Sequence, residues 1–281
     1  MLRALKPVSA APAPCKICGG VARLYGVIDF HKGHDRLPLS GIPIYYRRCA
    51  ACDFLFTDAF DCWSDEQFKT HVYNDDYLEF DPDYKGPRPL SNADVVARLW
   101  GKYKAETRVL DFGGGNDLFC ERLRANGFSV AVTWDPMVST HARRPDGKFD
   151  LVTCFETLEH VPNPIASVRQ IVECVTQPGL VLYSTVTQPA DFSKQGLAWW
   201  YVAPRNGHIS LFSKRALAVL WGQHGYKTFS FNDNIHLAFR TLPAFLAHLQ
   251  SRADDLWIKD DPVAVAGRVP NDALMPAQSG A

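Results

Sequence analysis

Four of the eight cysteines fall into two Cys-x-x-Cys pairs, Cys15-Lys-Ile-Cys18 and Cys49-Ala-Ala-Cys52, with thirty residues between them. Two such turns can present four thiolates to one Zn²⁺ in a tetrahedron, and the binding energy then folds a segment with little core of its own. The gap is somewhat longer than the usual ribbon spacing. A pair of disulfides would need an oxidising compartment to which nothing in the chain points, and a redox-active pair does not need two copies. The other four cysteines stand singly in apolar surroundings and read as core residues.

A second group of residues could hold a nucleotide-like cofactor. Asp111-Phe-Gly113-Gly114-Gly115-Asn116-Asp117 follows an apolar strand, and glycines there let the backbone pass close beneath a ligand while the next helix directs N–H groups toward it. Sites for NAD, FAD and S-adenosylmethionine share this device. Asp135-Pro136 lies twenty-four residues beyond Asp111, where a carboxylate can accept hydrogen bonds from both hydroxyls of a ribose. Further on comes Phe155-Glu156-Thr-Leu-Glu159-His160-Val-Pro162. His208 lies in Trp199-Trp200-Tyr201-Val-Ala-Pro-Arg205-Asn206-Gly207-His208, a turn rich in aromatic residues, and can remove a proton near neutral pH or instead hold its loop shut by hydrogen bonds. Arg205 can pair with an anionic group such as a phosphate.

These residues need elements to position them. Val21–Val27 and Ile42–Cys49 read as strands leading away from one cysteine pair and into the other. From residue 107 onward, short apolar runs alternate with helical stretches, the pattern of a parallel sheet with crossover helices. Thr107–Asp111, Ser129–Trp134, Phe149–Cys154 and Leu180–Val186 are the expected strands. Ser91–Trp100, Asp117–Asn126, Pro164–Thr176 and Ser213–His224 are the expected helices. The division that follows is a leader over 1–13 expected to be disordered, a zinc-binding ribbon over 14–60, and an acidic arm or lid over 61–87 bearing Tyr73, Tyr77, Phe80 and Tyr84. An α/β domain over 88–258 and a mobile tail over 259–281 complete it.

Val109-Leu-Asp-Phe-Gly-Gly-Gly115, Asp135-Pro136, and Phe149-Asp-Leu-Val with Phe155-Glu-Thr-Leu-Glu-His-Val-Pro162 together resemble the class I S-adenosylmethionine-dependent methyltransferases over about residues 88 to 240. The resemblance implies a Rossmann-like sheet with helices on both faces. It also implies that Asp111 and Gly113, Gly114 and Gly115 lie against the methionine part of the cofactor, that Asp135 with Pro136 holds the ribose, and that Phe155 and Glu156 lie near the adenosyl group. Where the family commonly has another glycine, this chain has Asp117, which could cap the helix or approach the cofactor's ammonium group. With the zinc-binding part and the tyrosine-bearing arm, the chain is similar to bacterial methyltransferases that act on nucleotide-linked sugars or glycans. In that comparison Tyr73 and Tyr77 close over the cofactor, His208 is the candidate general base, and Tyr201 and Arg205 are candidates for holding the acceptor. The sugar C-methyltransferases carry a His-Glu-His cluster of which only His208 has a counterpart here, so O-methylation of a sugar or other small hydroxyl compound is at least as well supported as methylation at carbon.

Composition sets the remaining bounds. The 281 residues hold thirty Lys+Arg and thirty Asp+Glu, so no overall positive field draws the chain to a phosphate backbone. Residues 1–60 contain eight basic and four acidic residues, and residues 61–90 contain three and eight, so the ribbon's positive excess is cancelled beside it. This disfavours an RNA methyltransferase that grips its substrate with the ribbon. A cofactor-binding scaffold without turnover is the other rival. No run of about 18 apolar residues indicates a membrane span, no convincing signal peptide opens the chain, and a cytoplasmic enzyme with a small-molecule acceptor is the expectation.

Overall fold

The computed structural model describes residues 11–33 and 37–246. Most of the expected leader and the whole of the expected tail lie outside the described residues. Ala13, assigned to the leader, is instead paired: Ala13–Pro14 (β1) runs antiparallel to the start of Val21–Asp29 (β2), with Ala13 opposite Ala22.

The ribbon continues through Pro43–Cys49 (β3) and Leu55–Thr57 (β4). The arm follows as helices Asp65–His71 (α1) and Tyr77–Phe80 (α2), the first closed by a capping box in which Ser64 and Gln67 satisfy each other's backbone N–H groups. Pro87–Trp100 (α3) starts four residues before the expected Ser91, because proline is well suited to the first helical turn, where its missing N–H has no partner to lose.

The core sheet is built from Arg108–Phe112 (β5), Val130–Trp134 (β6), Phe149–Cys154 (β7) and Val175–Ser184 (β8), with helices Leu118–Ala125 (α4) and Pro164–Val172 (α5) between them. The helix expected to reach Thr176 ends at Val172. Cys174 N–H closes the last turn on Ile171 O, and Phe149 N–H takes Cys174 O, so the chain is already recruited to the sheet and Val175 stands opposite Phe149. Phe192–Gln195 (α6), Ser210–Leu211 (β9), Lys214–Gly222 (α7), Lys227–Ser230 (β10) and Ile235–Phe239 (β11) follow, and short 3-10 turns at Leu158–His160 and Pro204–Asn206 carry site residues.

Two sheets result. The core sheet has strand order β10-β11-β8-β7-β5-β6, with β11 alone running against its neighbours. Helices cover both faces: α3 and α4 bury Ala93, Val96, Phe119 and Leu123 on one, while α5 and α7 bury Val168, Ile171, Leu220 and Trp221 on the other. The chain leaves β5 for β6 on one side and then crosses to β7 on the other, so the strand order reverses at β5. A crevice opens there at the carboxyl ends of the strands, the usual place for a ligand in such sheets.

The second sheet, β1-β2-β3-β4-β9, is finished by a strand from the core domain, with Leu55 opposite Leu211 and Phe56 opposite Ser210. The ribbon also shares a hydrophobic core with that domain, since Ile17, Phe54 and Phe56 pack in one cluster with Phe212 and Trp221. The loop that leads into β9 is thereby fixed against the ribbon, with Thr57 N–H donating to Ile209 O, and this loop carries His208.

Candidate active site

The glycine turn sits at the end of β5. Gly113 adopts φ +74°, and a Cβ on it would lie 2.6 Å from Thr157. A Cβ on Gly114 would fall 2.0 Å from Asp111 Oδ2, so this stretch can pass over the Asp111 carboxyl only as glycine. Asp111 is 3% exposed, accepts a 2.6 Å hydrogen bond from Thr153 Oγ1, and is pushed up to about 7, chiefly by burial. Asp135 Oδ2 accepts from Gly115 N–H at 2.9 Å and Oδ1 from Met137 N–H at 2.8 Å, which ties the end of β6 to the turn. Pro136 is exposed beside it.

Asp117 does not take the expected capping role. Its carboxylate accepts from Thr133 Oγ1 (2.7 Å) and Arg124 (2.5 Å) and makes no cap hydrogen bond to α4.

The crevice above the turn is lined by Asp111, Gly113, Gly114, Phe155, Glu156 and Phe119, and is covered by Tyr84 and Arg88. Phe155 packs edge-on against Phe119, their centroids 5.6 Å apart. Glu156 holds a left-handed backbone (φ +47°), uncommon for a side chain other than glycine, and Ser184 pins it by accepting from its N–H at 2.8 Å and donating to Oε1 at 2.6 Å. Burial raises the Glu156 carboxyl above its ordinary range. A buried carboxyl at Asp111 suits an ammonium group, an accessible carboxylate at Asp135 suits a diol, and three glycines keep the floor clear. The donor set therefore fits S-adenosylmethionine.

Three residues beyond Glu156, a second group gathers. A carboxyl oxygen of Glu159 and ring nitrogens of His160 and His208 lie within 4.8 Å of one another. Glu159 is fully buried and accepts from Tyr201 Oη at 2.5 Å, while its Oε2 has no hydrogen-bond partner. His208 Nδ1 lies 2.8 Å from Tyr201 O; a carbonyl only accepts, so Nδ1 carries the proton and Nε2 is the basic nitrogen. Burial holds His160 well below the ordinary imidazole value, with the facing His208 adding to the effect.

The arm supplies the roof. Tyr73 lies 5.9 Å from His160 and edge-on to Tyr77, which is edge-on to Tyr84, whose hydroxyl is 3.6 Å from where a Gly115 Cβ would stand. Arg205, the candidate for holding an anionic acceptor, donates to Val72 O and Asn74 Oδ1 and stacks on Phe80, so it also holds the arm down. Tyr201 is 1% exposed and positions Glu159. The sequence assigns Glu159, His160 and Arg88 no role of their own. Glu159 and His160 were marked only by their place after β7, since the partner that gives them meaning lies nearly fifty residues away.

At the far end of the ribbon, Cys15 Sγ lies 3.7 Å from Cys52 Sγ and Cys18 Sγ lies 3.5 Å from Cys49 Sγ, all four within 4.8 Å. The N–H groups of Ile17, Gly20 and Ala51 point at three of the sulfurs from 3.3–3.4 Å, as backbone amides do around thiolates. This Cys₄ cluster is compatible with a zinc ribbon.

A doubly covered, mostly parallel sheet with this glycine turn and these two aspartates at its carboxyl edge defines a class I S-adenosylmethionine-dependent methyltransferase. A family described as "Methyltransferase domain" matches residues 84–230, just over half of the chain, and the chain belongs to it. Among curated proteins, it is 35% identical over 97 residues to a ubiquinone biosynthesis O-methyltransferase of Pectobacterium carotovorum, covering 34% of this chain and 40% of that protein. It is 32% identical over 133 residues to the protein of the same name from Sodalis glossinidius, covering 45% and 53%. The chain thus spans about half or less of the length of these relatives. Among solved structures, it is similar to an O-methyltransferase family protein from Burkholderia thailandensis (TM-score 0.48, 16% identity, 63% of each chain). It is also similar to magnesium protoporphyrin IX methyltransferase from Synechocystis PCC 6803, solved with bound SAH (TM-score 0.43, 15% identity, 66% of this chain and 97% of that one). Among the described residues, no helix is long and apolar enough to cross a membrane.

Proposed function

We propose that this enzyme methylates a hydroxyl group of a small-molecule acceptor, with a nucleotide-linked sugar or a glycan as the acceptor class that the sequence favours. The observation that carries this reading is the buried group of Glu159, His160, Tyr201 and His208 beside the cofactor crevice. The bound cofactor supplies an activated methyl group on a sulfonium, so the chain's own residues need to align the acceptor, exclude water and remove one proton. His208 Nε2 takes that proton, Tyr201 O fixes the ring that does so, and Glu159 with His160 forms the wall against which the hydroxyl rests. Tyr73, Tyr77 and Tyr84 close the chamber. In the same reading Asp135 holds the ribose, Asp111 the ammonium group, and Cys15, Cys18, Cys49 and Cys52 a structural zinc ion.

Calorimetry of S-adenosylhomocysteine binding tests the cofactor half. Affinity is expected in the micromolar range, falling at least tenfold in Asp135→Ala; absence of binding by wild type removes the reading. The pH dependence follows from Asp111. Below about 7 its carboxyl is neutral and cannot counter a cation, so affinity is expected to rise as pH increases from 5.5 to 7, by up to about tenfold per unit. Asp111→Asn is expected to bind weakly with that slope gone, and a variant that kept the slope would place the titrating group elsewhere. A methyl-transfer screen over nucleotide sugars, glycans and RNA identifies the acceptor. Once one is in hand, His208→Ala is expected to lower kcat about 10²–10⁴-fold, and unchanged turnover would assign the base to another group.

A further inference from the structure

A second cleft lies on the other side of the arm. It is enclosed by the ribbon hairpin and by α1 and α2, has a volume of about 620 Å³, and is walled by Phe30, Phe60, Trp63 and Phe80, with Ile42 54% exposed among its lining residues. That volume lies within the range of small-molecule sites, and the lining is the usual one of aromatic walls with a few polar groups. Arg205 reaches it from inside. This side chain is 5% exposed and makes no ion pair among the described residues. Its donors meet a carbonyl and an amide oxygen, both neutral, and Asp76, the carboxylate that acts on it from a distance, stands exposed at the cleft. A guanidinium so far out of water without a carboxylate partner is costly unless something anionic comes to it. His31 and His71 line the same cleft.

The cleft and the reaction chamber share a wall. Asn74 and Arg205 line the cleft, while Tyr73, the residue before Asn74, and His208, three residues after Arg205, face His160. A molecule anchored at Arg205 therefore sits close along the chain to Tyr73 and His208, the residues that face His160.

We infer that the cleft between the ribbon and the arm anchors the methyl acceptor, taking a ring between its aromatic side chains and a phosphate or carboxylate on Arg205. The inference rests on the methyl-transfer reading and narrows its acceptor to a ring-bearing organic anion. Two sources share that chemistry, a nucleotide attached to the acceptor and an aromatic acid that is itself the acceptor.

The test is calorimetric titration of the full chain with UDP and with 3,4-dihydroxybenzoate, each against its uncharged counterpart, uridine and catechol. At least one anion is expected to bind ten times or more tighter than its neutral partner, and whichever does identifies the source. Trp63→Ala is expected to weaken that binding at least tenfold. Because Trp63 also packs on Phe60 and Phe68, Ile42→Trp, which fills the cleft from an exposed position, provides an independent block with the same expected loss. S-adenosylhomocysteine binding should stay within twofold in Ile42→Trp. If wild type binds S-adenosylhomocysteine but neither anion, or if both variants bind the anion as wild type does, the cleft is not an acceptor site. If S-adenosylhomocysteine itself does not bind, the methyl-transfer reading has failed first.

Discussion

Cys49→Ser is expected to abolish zinc binding and lower the thermal midpoint by well over ten degrees, and the loss should reach the active site. Zinc–sulfur bonds of about 2.3 Å in a tetrahedron place the sulfurs about 3.8 Å apart, and the observed pairs at 3.5 and 3.7 Å need little adjustment to accept the ion. A structural zinc of this kind is worth about 10–16 kcal/mol, comparable to the whole stability of an ordinary domain, about 5–15 kcal/mol. The consequence spreads because the ribbon is not a detached bead. Ser213 Oγ donates to Cys52 O, Gln188 to Asp53 O and Gln223 to Ile17 O, so the turns that hold the sulfurs are bonded to the core domain. Tyr46, at the middle of β3, donates to His208 O at 2.8 Å and is fully buried there. Melting the ribbon therefore releases the backbone of the proposed base. Metal analysis of wild type should return about one zinc per chain, and thermal denaturation with and without a strong chelator should reproduce the variant's shift. A Cys49→Ser protein with wild-type metal content and midpoint would show that the four thiols are ordinary core residues.

The same contacts explain what was readable in the residues and what was not. The ends of β7, Phe149 and Cys154, match the expected strand, because a short run buried on both faces carries its own signal. The glycine turn was equally plain, since its constraint is local: Gly114 answers to Asp111, three residues away. The expected ribbon strands appear as β2 and β3, but nothing in either announces that β4 will pair with Leu211. Arg205 illustrates the limit of reading chemistry from residue type. An arginine in a glycine-containing turn suggests an anion, but nothing near it in sequence shows that Val72 O and Asn74, more than 130 residues earlier in the chain, take two of its donors. The arm's tyrosines stood out by type, while their order over the site depends on how α1 and α2 lie across the core. The cluster of Glu159 with His208 was hidden for the same reason, being created by the docking of one loop on another.

Glu159→Gln is expected to make the protein more stable above about pH 5 and nearly inactive. Burial and the neighbouring Glu156 push the Glu159 carboxyl from its ordinary value of 4.5 to about 8. Between those values the unfolded chain has released this proton and the folded chain still holds it, so the native state binds more protons. Stability must then fall as pH rises through the window, by up to about 1.4 kcal/mol per unit. Glutamine keeps a neutral acceptor for Tyr201 Oη and has no proton to lose, so the variant should gain on wild type steadily from about pH 5 to pH 8. Urea denaturation at a series of pH values reads this directly as a difference in slope, which belongs to the interacting Glu156 and Glu159 pair. Parallel stability curves would mean that Glu159 is ionised in the folded state throughout, and the neutral-wall picture of the chamber would be wrong. On a confirmed acceptor, turnover in Glu159→Gln should fall by about two orders of magnitude or more, because the ionised fraction of this carboxyl near neutral pH can take the proton from His208 and an amide cannot. Stability gained together with activity lost at one buried residue distinguishes a functional carboxyl from a packing defect, since a defect repaired would leave turnover where it was.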